Sequence, residues 1–366
     1  MHETIGIGIV GYGAFGEIST EQYATLPDAR IVAVIDTDPR RQQLAVERFQ
    51  TQAHRDLEQL IADPTVDVVV LNTPPWLHGS QAIQAAKAGK HLFVEKPLAT
   101  HLDQAREVLE IAQEKHLHVS IDYVMRHVSL YATLRRLLAG PFFGDVTYMM
   151  LENHASNEAL HANHWMWDRA KSGGIFVEHG VHFFDLCNTF TASLPQHVVG
   201  FAQTSAGDRQ DRVLASVQYR NGSMATFVHS FDRRATLERT TLEITCERAR
   251  VKVYGWIPER IEIEGMIARE HYDLLVATAG APVTISKELA GPPAEAVVHL
   301  TITQPNRTAE YAAAIRAGMH DLLSAIRDPH FQLQVTAADG FASLALALAA
   351  QQSIETGMTQ EVISHA

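Results

Sequence analysis

The stretch Ile5-Gly6-Ile7-Gly8-Ile9-Val10-Gly11-Tyr12-Gly13-Ala14-Phe15-Gly16 governs the reading of the whole chain. Ile5, Ile7, Ile9 and Val10 make a short apolar run with the β-branched character of a buried strand. The run stops at Gly11-Tyr12-Gly13-Ala14-Phe15-Gly16, which has the spacing G-x-G-x-x-G. A strand, a glycine turn and a helix in that order open a dinucleotide-binding unit. Gly11 would allow the tight turn, Gly13 the close approach of backbone to a pyrophosphate, and Gly16 the packing of helix on strand. The phosphate charge would then face the N-terminus of the helix that follows the turn.

Corroboration comes about twenty residues on. Ile31-Val32-Ala33-Val34-Ile35 is a second buried strand, and it ends on Asp36-Thr37. A carboxylate there suits the hydroxyls of the adenosine ribose and repels a 2′-phosphate, which favours NAD over NADP. Asp36-Thr37-Asp38-Pro39 also has the composition of a turn. Further strands are expected at Val66–Leu71, His91–Val94 and Val119–Ile121, with helices at Ile18–Leu26, Leu57–Ala62, His78–Ala88 and Leu102–Lys115. Strands alternating with helices predict a doubly wound parallel sheet, with ligands beyond the carboxyl ends of its strands. Asn72-Thr73-Pro74, Glu95-Lys96-Pro97 and Asp122-Tyr123 fall at such ends beside Gly11 and Asp36.

The pattern changes near Tyr123, which divides the chain into an expected nucleotide-binding domain (residues 1–123) and a second domain (124–366). A helix over Val128–Ala139 precedes a strand over Asp145–Glu152, and a helix is expected from Gly173 to about Phe190. Strands then follow at Val198–Gln203, Val213–Tyr219, Met224–Phe231, Glu243–Cys246 and Arg250–Tyr254, with Asn221-Gly222 as a hairpin turn. They predict an α+β domain with an open, mainly antiparallel sheet. Between Ile257 and His299 only a helix near Glu270–Ala277 stands out, and helices return at Thr308–Ile326 and Ala337–Glu355.

The chain has 366 residues, 46% of them hydrophobic and 20% charged, with a formal net charge of −12. That charge argues against nucleic acid or an anionic membrane as a partner. The start of the chain shows no signal core, no run approaches a membrane span, and Cys187 and Cys246 are isolated, so a cytoplasmic protein is expected.

With Glu95-Lys96-Pro97 and Ser172-Gly173-Gly174-Ile175-Phe176-Val177-Glu178-His179-Gly180-Val181-His182-Phe183-Phe184-Asp185 both in view, the chain resembles the glucose–fructose oxidoreductase, inositol dehydrogenase and MocA family. The resemblance also covers Thr73-Pro74 with His78, Arg126, Trp167-Asp168-Arg169 and the helix start Val335–Gly340. It implies a Rossmann domain followed by an open-sheet domain that builds homodimers or homotetramers. It further implies reversible oxidation of a secondary hydroxyl on a sugar or cyclitol, with hydride passing to the nicotinamide. Lys96 matches the family's cleft lysine and His182 its catalytic histidine, while Glu178 stands where many members carry Asp. A turn with a cis bond before Pro97 is also implied.

The chemistry agrees with these positions. Alcohol oxidation needs a base for the hydroxyl proton, and an imidazole titrates near neutrality. On a regular helix Glu178, His182 and Asp185 share one face. Lys96 at the crevice rim would favour the developing alkoxide. Glu178, His179, Asp185, Trp167, Arg126 and Tyr123 are candidate substrate contacts. One of Trp165 and Trp167 is expected to stack on a sugar face. Candidate cofactor contacts are Gly11, Gly13, Ala14, Phe15, Gly16, Asp36, Thr37, Asn72, Thr73, Pro74, His78, Glu95, Lys96 and Pro97. The chain carries 20 histidines, with His154, His161, His164, His179 and His182 in one stretch. No H-E-x-x-H spacing occurs among them, and no metal is expected. Two other readings stand beside the dehydrogenase: an NAD-binding sensor without turnover, and an enzyme that uses NAD transiently to cleave a glycosidic bond without net redox change.

Overall fold

The structure, a computed structural model, describes residues 4–205 and 209–364. The first half runs β1 (Ile5–Val10), α1 (Ala14–Tyr23), β2 (Ala29–Ile35), α2 (Pro39–Phe49), β3 (Gln52–Ala53), α3 (Leu57–Ala62), β4 (Val68–Leu71), α4 (Pro75–Lys87), β5 (His91–Val94), α5 (Leu102–Glu114) and β6 (Val119–Ile121). Its strands form one parallel sheet in the order β3-β2-β1-β4-β5-β6. Chain order reverses between β1 and β4, and the crevice opens at such a switch point. β1, β4 and β6 are buried along their whole length, as strands covered on both faces must be.

The second half contains α6 (Ser129–Ala139), β7 (Val146–Ser156), α7 (Arg169–Ser172), a π turn over Phe176–Gly180, α8 (Val181–Thr191), β8 (Pro195–Ser205), β9 (Arg209–Tyr219), β10 (Met224–Arg233), β11 (Arg239–Cys246), β12 (Ala249–Tyr254), β13 (Arg260–Ala268), α9 (Tyr272–Ala279), β14 (Val283–Leu289), β15 (Glu295–Thr303), α10 (Arg307–Arg327), α11 (Ala337–Thr356) and β16 (Gln360–Glu361). Ten strands form one sheet in the order β14-β15-β13-β12-β11-β7-β10-β9-β8-β16. Every pairing is antiparallel except β10 on β7. The hairpin between β9 and β10 turns at Gly222, whose φ is +89°. Inward residues alternate with half-exposed ones, as on β13 (Ile261, Ile263, Gly265, Ile267 inward), so one face is packed and the other open. α8 and α11 cover the packed face. α10 and α11 also return to the first sheet: α10 lies on α1, and α11 on α5 and β6.

Three features depart from the expected pattern. α2 follows the turn-like Asp36-Thr37-Asp38 in a stretch where the sequence reading placed no element. Asp38 caps it by accepting from the Arg40 N–H, with Pro39 in its first turn, and the helix is so polar that only Ala45 is fully buried. β13, β14 and β15 fill the stretch in which only a helix stood out, because their two-residue alternation is broken by Gly265 and by the bulge at Ile285/Lys287. The single helix expected from Gly173 is instead α7, a break at Gly173 and Gly174 with φ of +75° and +92°, a π turn, and then α8.

The opening turn is closely packed against backbone. A Cβ on Gly16 would lie 2.4 Å from the Gly11 carbonyl oxygen, which is backbone and cannot swing aside. Gly16→Ala is expected to lower stability by about 1–3 kcal/mol, read from the urea midpoint. An unchanged midpoint would show that α1 can slide on β1.

Candidate active site

Backbone geometry at the carboxyl ends of β1, β2, β4 and β5 shapes a crevice of about 900 Å³. Gly11 has φ +92°, and a Cβ there would meet the Asn72 carbonyl oxygen at 2.8 Å. Gly13 differs: an added Cβ would touch only the end of the Arg41 side chain, at 3.4 Å. Gly11 and Gly16 therefore serve the turn itself, and Gly13 leaves the approach to the crevice open. α1 starts at Gly13 with no side-chain cap, so its first N–H groups remain available to an anion. Asp36 lines the crevice and also holds the turn, accepting the Tyr12 N–H at 2.6 Å and the Asp38 N–H at 2.7 Å. These residues fit a dinucleotide: an open glycine approach, an uncapped helix start and a carboxylate at the end of the second strand.

Ala14, Phe15, Thr37, Asn72, Thr73, Pro74, Glu95 and Lys96 also line this crevice. Arg41, Arg55, Trp76, Gln81 and Trp165 line it as well. Among these, Trp165 was already a candidate beside Trp167, and Arg41 lies five residues beyond Asp36. Arg55 and Gln81 reach the crevice through the packing of the loops and helices that carry them, which no local motif records.

At the inner end the two halves meet. The Lys96 ammonium donates to the Glu178 backbone carbonyl at 2.7 Å and to Glu178 Oε1 at 2.8 Å. Both side chains are largely enclosed, 10% and 14% exposed. Burial works against the Lys96 charge, but the carboxylates of Glu178 and Glu95 outweigh it and hold the ammonium above the ordinary lysine range. Burial likewise opposes the Glu178 charge, and Lys96 reverses the sign, holding that carboxyl below its usual range. His182 lies on the first turn of α8, where burial, then Lys96 and His179, push it well below the ordinary histidine range. It is a neutral imidazole beside a fixed cation. His179 bonds Asn153 Oδ1 at 3.0 Å, and burial lowers it to about 4.

Several expected contacts lie elsewhere. Asp185 does not line the crevice with Glu178, although within α8 it keeps the i, i+3 spacing to His182. The π turn over Phe176–Gly180 adds a residue to its turn, so the α-helical spacing does not carry across it. Asp185 instead receives Arg126 Nε and Nη2, each at 2.7 Å, and Arg126 also reaches Asp339 at 2.9 Å. Arg126 and Asp185 therefore clamp α8 and α11 to the end of the first half and are satisfied by each other. Tyr123 is also a support: its hydroxyl bonds Ser343, and its ring meets His182 edge-on at 6.1 Å. His78 is buried, with one ring nitrogen 2.7 Å from the Pro97 carbonyl oxygen and the other 2.6 Å from that of Thr73. It braces the two loops from beneath and does not line the crevice. Pro97 is buried behind Lys96, after a cis bond. Trp167 packs on Phe231 and under Arg209, whereas Trp165 faces the crevice with Trp76, their rings 5.6 Å apart. Among the described residues no group of three His, Cys, Asp or Glu side chains is placed to hold a metal ion. No described helix is long and apolar enough to cross a membrane.

Comparison with known proteins places this geometry. Residues 5–123 match the model of an oxidoreductase family with an NAD-binding Rossmann fold. Residues 131–252 match the GFO/IDH/MocA C-terminal domain. A 2,7-anhydro-N-acetylneuraminate hydratase of Mediterraneibacter gnavus is 28% identical over 61% of this chain and 60% of its own length. The chain thus spans about 60% of that relative. Inositol 2-dehydrogenase of Rhizobium meliloti is 24% identical over 96% of this chain and 97% of its own. Among solved structures, the WlbA dehydrogenase of Bordetella pertussis, in complex with NADH and UDP-GlcNAcA, is 21% identical and superposes over 100% of this chain and 99% of its own with a TM-score of 0.83. That likeness is one of fold.

Arg126 separates a structural clamp from a substrate contact. Arg126→Met leaves Asp185 buried without its partner and is expected to cost about 3–5 kcal/mol of stability. A denaturation midpoint that stays in place while the substrate KM rises would return Arg126 to the substrate contacts.

Proposed function

Since this chain belongs to the GFO/IDH/MocA oxidoreductase family, we propose that it oxidises a secondary hydroxyl of a sugar, sugar derivative or cyclitol with NAD, using Lys96 and His182 as the reacting pair. The observation that carries the reading is the meeting of Lys96, from the end of β5, with Glu178 of the second half in the crevice, four residues before His182, whose ring the Lys96 charge reaches. NAD, when bound, supplies the hydride acceptor. Every other task falls to side chains of the chain itself.

An ammonium has three N–H donors, and Glu178 takes two of them. The third is left for the reacting oxygen, where its charge favours the alkoxide as the proton departs. His182, kept neutral by burial, receives that proton. The pair thus divides the work, one group held charged and the other held neutral by their surroundings. Glu178 reaches Lys96 with one oxygen, and its second oxygen is the acceptor for a neighbouring substrate hydroxyl. Asp36 favours NAD over NADP through its charge at the adenosine end.

A second reading has a specific support: a relative is named 2,7-anhydro-N-acetylneuraminate hydratase. In that case the same pair would act on a substrate that leaves without net oxidation. We further propose that the open face of the large sheet joins two copies of the chain. Phe201, Leu214 and Val228 stand in register across β8, β9 and β10 on that face, with Phe201 62% exposed.

Following NADH absorbance across a panel of polyols separates the readings. Accumulating NADH supports the dehydrogenase, converted substrate without NADH supports the second reading, and NAD binding with neither supports a sensor. Lys96→Met and His182→Asn are each expected to lower kcat by roughly 10²–10⁴-fold with NAD binding retained; near-normal turnover in both would remove the assigned roles. Phe201→Glu is expected to shift the chain toward monomer in sedimentation, and an unchanged mass would place the interface elsewhere.

A further inference from the structure

Two carboxyl groups that have no part in the steps above lie directly behind Lys96. β5 and β6 run parallel in register, with Val94 opposite Ile121. The residues that follow, Glu95 and Asp122, therefore stand side by side. The Asp122 N–H donates to the Val94 carbonyl at 2.8 Å, which carries the ladder to that point. Neighbours in register on parallel strands project to the same face of the sheet. Asp122 is 4% exposed. Glu95 Oε2 and Asp122 Oδ2 are both sealed from solvent without a hydrogen-bond partner.

The groups around them supply too little positive charge. Lys96 faces both carboxyls from the loop after β5, and Glu178 faces Glu95 from the π turn. Burial, and then the charges of both carboxyls, push up the hydroxyls of Tyr23 on α1 and Tyr311 on α10. One ammonium thus serves three carboxyl groups, and Glu178 already holds it in a direct ion pair. An ionised carboxylate only accepts hydrogen bonds, so two ionised neighbours with sealed, donorless oxygens form an unstable arrangement.

We propose that Glu95 and Asp122 share one proton as a carboxyl pair beneath Lys96, and that this proton keeps the field at the reacting oxygen from turning strongly negative. The inference rests on the reading of Lys96 as the group at that oxygen. With the shared proton, Lys96, Glu178 and the pair sum to one net negative charge; without it, to two. Burial, opposed by Lys96, raises Glu95 to about 8 and Asp122 to about 7, with Asp122 adding to the rise at Glu95. The two titrate as a unit. Above that range a second negative charge opposes the alkoxide, so alcohol oxidation falls on the alkaline side. Glu95 and Asp122 are positioning residues that act through Lys96.

Infrared spectroscopy of the whole protein with isotopically labelled aspartate and glutamate tests the pair without any substrate. The expected result is a protonated carboxyl band at neutral pH that shifts with the label and disappears as pH rises through the range above. In Asp122→Asn and in Glu95→Gln the remaining carboxyl is expected to lose its proton at a pH about one unit lower, because its like-charged neighbour is gone. The alkaline limb of kcat/KM should move with it. Absence of the band in the unsubstituted protein, a midpoint unmoved in both variants, or a kinetic limb that stays while the midpoint moves would each overturn the proposal. Should no polyol be turned over, the reading of Lys96 falls by itself, and the infrared titration still reports on the pair.

Discussion

The ion pair between Lys96 and Glu178 is the contact on which the arrangement of the crevice depends. It joins the end of a strand in one sheet to a π turn over the other, with both groups enclosed at 10% and 14% exposure. A charge in such a place survives only if it is paired and hydrogen-bonded. Glu178 satisfies Lys96 twice, through its carboxylate and through its own carbonyl, so the position of the ammonium is tied to the backbone of the second half as well as to a side chain.

The surroundings of that pair are built to leave it little freedom. His78 bridges the loops that carry Thr73 and Pro97, holding the Lys96 turn from below. Tyr123, anchored on Ser343, supports the His182 ring from behind. Arg126 binds Asp185 and Asp339 and so locks α8 and α11 to the first half. His78, Tyr123 and Arg126 do not themselves line the crevice. Enclosed, fully bonded supports of this kind are what keep a reacting constellation in one geometry.

Much of the first half was legible because its signals are local. A glycine spacing, buried β-branched runs and an acidic residue at a strand end each state their backbone requirement in a few residues. The structure shows the same division among the glycines, with Gly11 and Gly16 pressed against backbone and Gly13 open. The second half was less legible where local signals mislead. Gly265 and a bulge blur the alternation of β13 and β14. Arg126, Asp185 and Trp167 were read as substrate contacts because polar and aromatic residues near a catalytic motif look alike whether they face a ligand or each other.

By itself, then, the sequence determined the parallel nucleotide-binding half, which rests on spacing along single strands and turns, whereas Lys96 and His182 were singled out through the family resemblance. Only the tertiary structure decided which side chains are spent on one another. Arg126 takes up Asp185 away from the crevice, and the register of β5 and β6 sets Glu95 beside Asp122 next to a single ammonium. The physical reason is that burial makes partnership a matter of distance between segments far apart in the chain, and charge balance is settled only where they meet.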